Sequence, residues 1–209
     1  MAITRQSITL CLIRCGQTVW DADGRVQGAT DLPLSEAGRA AVNARLHALA
    51  PARPAVIHHP ADEAAAETAA LCARRTGART KAVVELADPH LGLLEGLTQQ
   101  EFAERFPKRF KQWDEDPLSV SPPEGEEIIT AANRLFKAIA RILRRSRSHE
   151  IGIVMHDMGL GLVRCWLADR PLNDLRAALV DRPLFERYDL PVELLGALEK
   201  AAQAALASA

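Results

Sequence analysis

Two hydrophobic periods alternate along this chain. Residues 8–13 form a short apolar run rich in β-formers, the pattern of a strand buried on both faces. Similar short runs at 55–57, 82–86 and 151–155 predict further strands. Between them the apolar positions take helical spacing. A helix is expected over 35–49, entered at Ser35, with Gly38 lowering its propensity. An Ala-rich helix over 61–75 stops at Gly77. Thr98 suits the N-cap of a helix over 98–106 that Pro107 ends, and a second short helix follows over 108–114. Residues 119–125 read as a Pro-rich loop. Ile128, Ala132, Leu135, Ile139 and Ile142 mark one face of a long helix over 126–145, and another helix covers 159–167. The segments 171–182 and 191–206 read as helical, split by Arg182-Pro183 and Leu190-Pro191.

Strands alternating with helices predict an α/β fold: three layers, α/β/α, around a mostly parallel central sheet. In such sheets ligands sit beyond the carboxyl ends of the strands. Arg14 and Cys15 follow the first strand and His156 follows the strand over 151–155, so both fall at that edge. The last helical segment carries an apolar stripe of Val192, Leu194, Leu195, Leu198, Ala202 and Leu206. That stripe suits packing on its own domain, with a homodimer contact through this helix as the alternative.

A chain of 209 residues with 48% hydrophobic and 25% charged content can bury one sizeable core and is not disordered, so 1–209 is read as a single domain. Lys and Arg number 26 and Asp and Glu 27, a net charge of −1 that gives no overall attraction to nucleic acid or an anionic membrane. The apolar run over 8–13 is too short for a signal-peptide core or a membrane span, which makes the cytoplasm the expected compartment. Cys11, Cys15, Cys72 and Cys165 show no paired spacing, so neither a disulfide scaffold nor a zinc finger is suggested. Cys11, Cys72 and Cys165 lie in apolar segments and read as small buried hydrophobes.

The segment Leu12-Ile13-Arg14-Cys15-Gly16-Gln17-Thr18-Val19-Trp20 resembles the opening signature of the histidine phosphatase, or phosphoglycerate mutase-like, superfamily. Asp21, Gly24-Arg25, Gln27-Gly28, Asp31, Pro33-Leu34-Ser35 and Gly38 continue that block in register. Gly92, Glu95-Gly96-Leu97-Thr98, Pro123-Glu124-Gly125-Glu126 and Ile153-Val154-Met155-His156-Asp157-Met158-Gly159 resemble its later blocks. The likeness spans about residues 8–168; residues 170–209 diverge as a helical tail, where family members usually end in further strands.

The resemblance implies a pocket in which two arginines and two histidines surround a phosphate and an acid protonates the leaving oxygen. Arg14 matches the first arginine and His156 the second histidine. Cys15 replaces the nucleophilic histidine, since the family reads Arg-His-Gly where this chain reads Arg14-Cys15-Gly16. Three readings of Cys15 compete: a lost nucleophile, a thiolate activated by Arg14 and His156, or a zinc ligand beside His156 and a carboxylate of Asp88 or Glu63. Cysteine-dependent phosphatases carry an arginine six residues after the nucleophile, and Asp21 stands there. The second arginine maps to Glu63 or Ala64, and the acid to Asp88, one methylene shorter than the family's glutamate. His90 could substitute for that acid, Glu124 replaces a loop glycine, and Glu95 reads as supporting structure. Gly159 fits a helix start offering backbone N–H groups to an anion.

Joint loss of the nucleophile and the second arginine moves the local charge towards negative, favouring a cation or a neutral ligand. The expected function is a phosphoglycerate mutase/histidine phosphatase-like protein lacking phosphatase and mutase activity, acting as a binding or regulatory module. The alternatives are a diverged phosphoric-ester hydrolase using Cys15 with His156 and Asp88, or a zinc-binding pocket. The leading reading calls for no cofactor and no resident metal. Its partner is an unidentified small ligand or protein, with neither nucleic acid nor membrane indicated.

Overall fold

The computed structural model describes residues 7–49, 52–178 and 183–191. Its elements run β1 (Ser7–Arg14), α1 (Val19–Ala22), α2 (Glu36–Arg45), β2 (Val56–His59), α3 (Glu63–Thr76), β3 (Arg79–Ala82), α4 (Gln99–Arg105), α5 (Pro107–Glu115), α6 (Ile128–Arg145), β4 (Glu150–Met155), α7 (Asp157–Leu167), α8 (Leu175–Ala178) and β5 (Phe185–Pro191). The strands form one sheet in the order β3-β2-β4-β1-β5. The β1–β4, β2–β4 and β2–β3 pairs are parallel, and β5 is antiparallel to β1.

Side chains of β1 alternate between two cores, as a strand's period of two requires. Leu10 and Leu12 pack in the core that holds Leu135 and Ile139 of α6 and Leu160 and Val163 of α7. Cys11 and Ile13 face the core that holds Val42 of α2 and Ala64, Ala65, Ala69 and Leu71 of α3. The result is three layers, with β1 and β4 central and buried on both faces, as their near-continuous apolar sequences imply. Burial raises the thiols of Cys11 and Cys72 to about 12, consistent with inert core residues.

Several helix ends follow local rules. The Ser35 hydroxyl accepts from Gly38 N at the start of α2. Gly77 closes α3 in the left-handed region at φ 77°. Thr98 and Glu101 form a reciprocal capping box on α4.

Two expectations are corrected. The strand expected over 82–86 lies instead at Arg79–Ala82, and residues 84–86 form a 3₁₀ turn that buries Leu86 and leaves Val84 71% exposed. All four residues of β3 are exposed, so its polar sequence carries no hydrophobic alternation. The tail after residue 170 is not wholly helical. It holds a short 3₁₀ turn, α8 and then β5, an edge strand between Pro183 and Pro191. Strand β5 is held by the ladder to β1 and by Arg164 of α7, whose Nε donates to Glu186 at 2.9 Å. Strand β5 thus fills the stretch between the two expected helices, where pairing with β1 orders residues that local pattern assigned to neither. The helix expected over 191–206 lies, beyond Pro191, outside the described residues. No helix among the described residues is long and apolar enough to cross a membrane.

The start of α2 crosses the loop after β1 closely: a Cβ on Gly38 would lie 2.1 Å from the Gln17 carbonyl oxygen. Gly38→Ala is therefore expected to destabilise the protein by about 1–3 kcal/mol through overpacking against backbone. Urea unfolding measures this, and an unchanged midpoint would contradict the close approach.

Candidate functional site

Strands β1 and β4 run in register, with Arg14 opposite Met155, so the residues that follow them emerge side by side. Cys15 N donates to the Met155 carbonyl at 2.7 Å, extending the ladder by one step. Gly16 N donates to Thr68 Oγ1 of α3 at 3.1 Å, and the Cys15 Sγ lies 3.7 Å from the same hydroxyl. The loop after β1 is thereby tied to β4 and α3 at once. The cavity above it, about 660 Å³, is lined by Arg14, Cys15, Asp88, His156 and Asp157, with Trp113 of α5.

The two cations at the strand ends, Arg14 and His156, each meet a carboxylate of the chain. Arg14 points its fork at Asp157: Nε donates to Oδ1 at 2.5 Å and Nη2 to Oδ2 at 2.9 Å. His156, only 8% exposed, has its Nε2 3.0 Å from Asp62 Oδ1 and its Nδ1 3.5 Å from Gln27 Nε2. Burial alone pulls the His156 pKa down, but the nearby Cys15, the Asp62 hydrogen bond and Asp88 outweigh it and hold it well above its ordinary value. Burial likewise pushes Asp62 up, and its bonds to His156 and Ala65 N leave it below the usual carboxylate range.

Asp88 is 7% exposed and occupies the N-terminus of α7, accepting from Gly159 N at 2.8 Å and Met158 N at 3.3 Å. Burial raises its pKa to about 6. The backbone donors expected to meet an outside anion at Gly159 are thus engaged by Asp88. Gly159 is needed there because a Cβ would lie 2.7 Å from Asp88 Oδ1.

The structure brings together Arg14, Cys15, Asp88 and His156 from the sequence-derived set. Glu63 stands apart. It is exposed at the first position of α3, where its N–H donates to Asp31 at 2.7 Å, and it is not among the residues lining the cavity. Ala64 is fully buried in the core. From that segment it is Asp62, the N-cap of α3, that reaches His156. His90 and Glu124 are exposed, while Glu95 braces a loop by accepting from Ala29 N at 3.0 Å and Leu91 N at 2.8 Å. Asp21 completes a capping box with Thr18 on α1. Sequence reasoning missed the partners Asp62, Asp157, Gln27 and Thr68. The signals were an Asp directly after His156 and an Asp at a helix N-cap. Among the described residues no three His, Cys, Asp or Glu side chains are grouped to hold a metal ion, so the zinc reading gains no support.

The sequence model of the histidine phosphatase superfamily (branch 1) matches residues 10–183. A metal-independent phosphoserine phosphatase of Arabidopsis thaliana is 28% identical over 151 residues, 70% of this chain and 63% of its own length. A glucosyl-3-phosphoglycerate phosphatase of Mycobacterium tuberculosis is 31% identical over 134 residues, 64% of this chain and 60% of its own length. The chain thus spans less than two thirds of either relative. The solved structure of Bacillus stearothermophilus YhfR superposes with a TM-score of 0.76 at 28% identity, covering 84% of this chain and 85% of that one.

The paired groups fix the direction of a pH effect. Asp88, raised to about 6, holds a proton in the folded state that the unfolded chain has released, so its contribution is present below about pH 4 and lost as pH rises through 6. The contribution of His156, raised above 6.5, is complete below that value and lost as pH rises through its higher folded pKa. Asp62, lowered from 3.8, contributes above that value and fails only in stronger acid. The melting temperature is expected to peak near pH 4 and fall as pH rises, through Asp88 up to about pH 6 and through His156 above that, with His156→Gln flattening the later part of the fall. A wild-type melting temperature that stays level across that range would contradict the arrangement.

Proposed function

The chain belongs to the histidine phosphatase superfamily, and we propose that it is a member that no longer turns over phosphate esters and serves as a binding or regulatory module. The observation that carries this reading is the internal pairing of the pocket cations, Arg14 with Asp157 and His156 with Asp62. A phosphoryl group needs preorganised cations and donors to hold the charge on its oxygens. Here a phosphate would have to displace Asp157 from Arg14 while facing the carboxylates of Asp62 and Asp88. Each charge-assisted bond it forgoes is worth about 1.5–3 kcal/mol. Cys15, at the position where the resemblance puts the nucleophilic histidine, is only 7% exposed. A pocket of about 660 Å³ whose cations at the strand ends, Arg14 and His156, are answered from within suits a neutral or cationic small ligand.

One observation favours a second reading. Cys15 interacts with His156, and His156 with Asp62, which is the order of nucleophile, base and orienting carboxylate. On that reading the chain is a cysteine-dependent hydrolase, and the phosphatase activities named for its relatives bear on its substrate class.

Hydrolysis of phosphate monoesters, phosphoserine among them, by wild type beside Cys15→Ala and His156→Ala separates the two. Turnover of the wild type no higher than that of the variants is the expected result. Turnover abolished by both substitutions would overturn the leading reading. Calorimetric titration with inorganic phosphate supplies a further prediction. Asp157→Asn, which releases Arg14, is expected to raise phosphate affinity at least tenfold, as one charge-assisted bond of about 1.5 kcal/mol implies. Unchanged affinity would mean that Asp157 does not compete with an anion.

A further inference from the structure

A second cavity, about 810 Å³, shares no lining residue with the pocket at Cys15 and lies beside α6 over the sheet, from the edge strand β3 across β2 to the start of β4. Strand β3 pairs only with β2, in parallel. Arg79 N donates to Ala55 O at 3.1 Å and, two steps of the alternation further, Val83 N donates to His59 O at 2.8 Å. Arg79, Lys81 and Val83 therefore spend their backbone groups on β2. Thr80 and Ala82, the intervening positions, direct an amide and a carbonyl each to the open side. No strand covers that side among the described residues, and all four residues of β3 are exposed. A bare edge of this kind is a template for another strand.

The charge around the edge is one-sided. Arg79 and Lys81, two apart on β3, project from one face, and Arg145 and Arg147 flank the same cavity from the end of α6. These four are exposed and have no ion-pair partner among the described residues. Of the other charged lining residues, Arg141 pairs with Glu85 at 2.7 Å and Glu150 with Arg187 at 3.2 Å. Val84, 71% exposed, adds an apolar contact, and the floor includes His58, whose Nδ1 is buried without a hydrogen-bond partner.

We propose that β3 is a docking edge for an extended acidic peptide, which joins the sheet as an additional strand and sets carboxylates at alternate positions against Arg79, Lys81, Arg145 and Arg147. Backbone bonds to Thr80 and Ala82 would supply affinity and the alternate side chains selectivity. A second copy of this chain is a poorer occupant. Antiparallel pairing about a two-fold axis at Thr80 would set Arg79 directly against Lys81 of the other copy, and like charges across a ladder repel. This site is independent of how the pocket at Cys15 is used.

Fluorescence anisotropy of a labelled eight-residue peptide of alternating Glu and Val, titrated with the full chain at low salt, tests the proposal. The expected result is saturable binding that weakens at least tenfold for Arg79→Glu/Lys81→Glu and at least tenfold for a peptide N-methylated at alternate residues. Both substituted side chains are exposed, so the doubly substituted protein should keep its melting temperature, and its peptide affinity reports on docking. No binding, or binding indifferent to N-methylation, would overturn the proposal, the latter by showing an anion patch without strand addition. Equal or tighter binding of an RNA oligonucleotide at the same site would also overturn it, as would a dimer that Arg79→Glu/Lys81→Glu dissolves and the peptide cannot compete with.

Discussion

The parallel pairing of β1 with β4 fixes everything at the candidate site. Because Arg14 lies opposite Met155, the residues one step on, Cys15 and His156, leave adjacent strand ends together. A register shift of one residue would turn the apolar faces of β1 away from the helices that cover them, so the cores on both sides lock the chemistry in place. The site is held by the same contacts that hold the fold.

Helices then deliver the partners. The N-cap of α3 brings Asp62 to His156, and the first residue of α7 brings Asp157 to Arg14. Asp88 closes the N-terminus of α7 from a loop. Two helix N-termini that would ordinarily favour an external anion are thus met by carboxylates of the chain. The electrostatic demand of Arg14 and His156 is met from inside the chain.

Much of this was legible in the sequence and some was not. The apolar runs of β1 and β4 and the caps at Ser35, Gly77 and Thr98 followed from local rules, because buried strands and helix ends are specified by nearby residues. Strands β3 and β5 did not, since both are edges with exposed polar residues and gain their order from a neighbour distant in the chain. Arg14, Cys15, Asp88 and His156 were found because they stand in motifs or at fixed offsets from them. The pairing of Arg14 with Asp157 and of His156 with Asp62 was not, since nothing in linear spacing says toward which carboxylate a guanidinium or imidazole will turn. Counting offsets pointed to Glu63 or Ala64, whereas the residue of that segment that reaches His156 is Asp62, the N-cap of α3.

Clustering cations without counterions is a standing electrostatic strain that an anion-binding pocket holds in readiness for its substrate. Here the Arg14–Asp157 bond relieves that strain permanently. At these two cations a ligand meets a demand already answered, so an anion there has little leverage over the conformation of the surrounding loops. A ligand that does change the shape of this protein acts on groups other than these two paired cations.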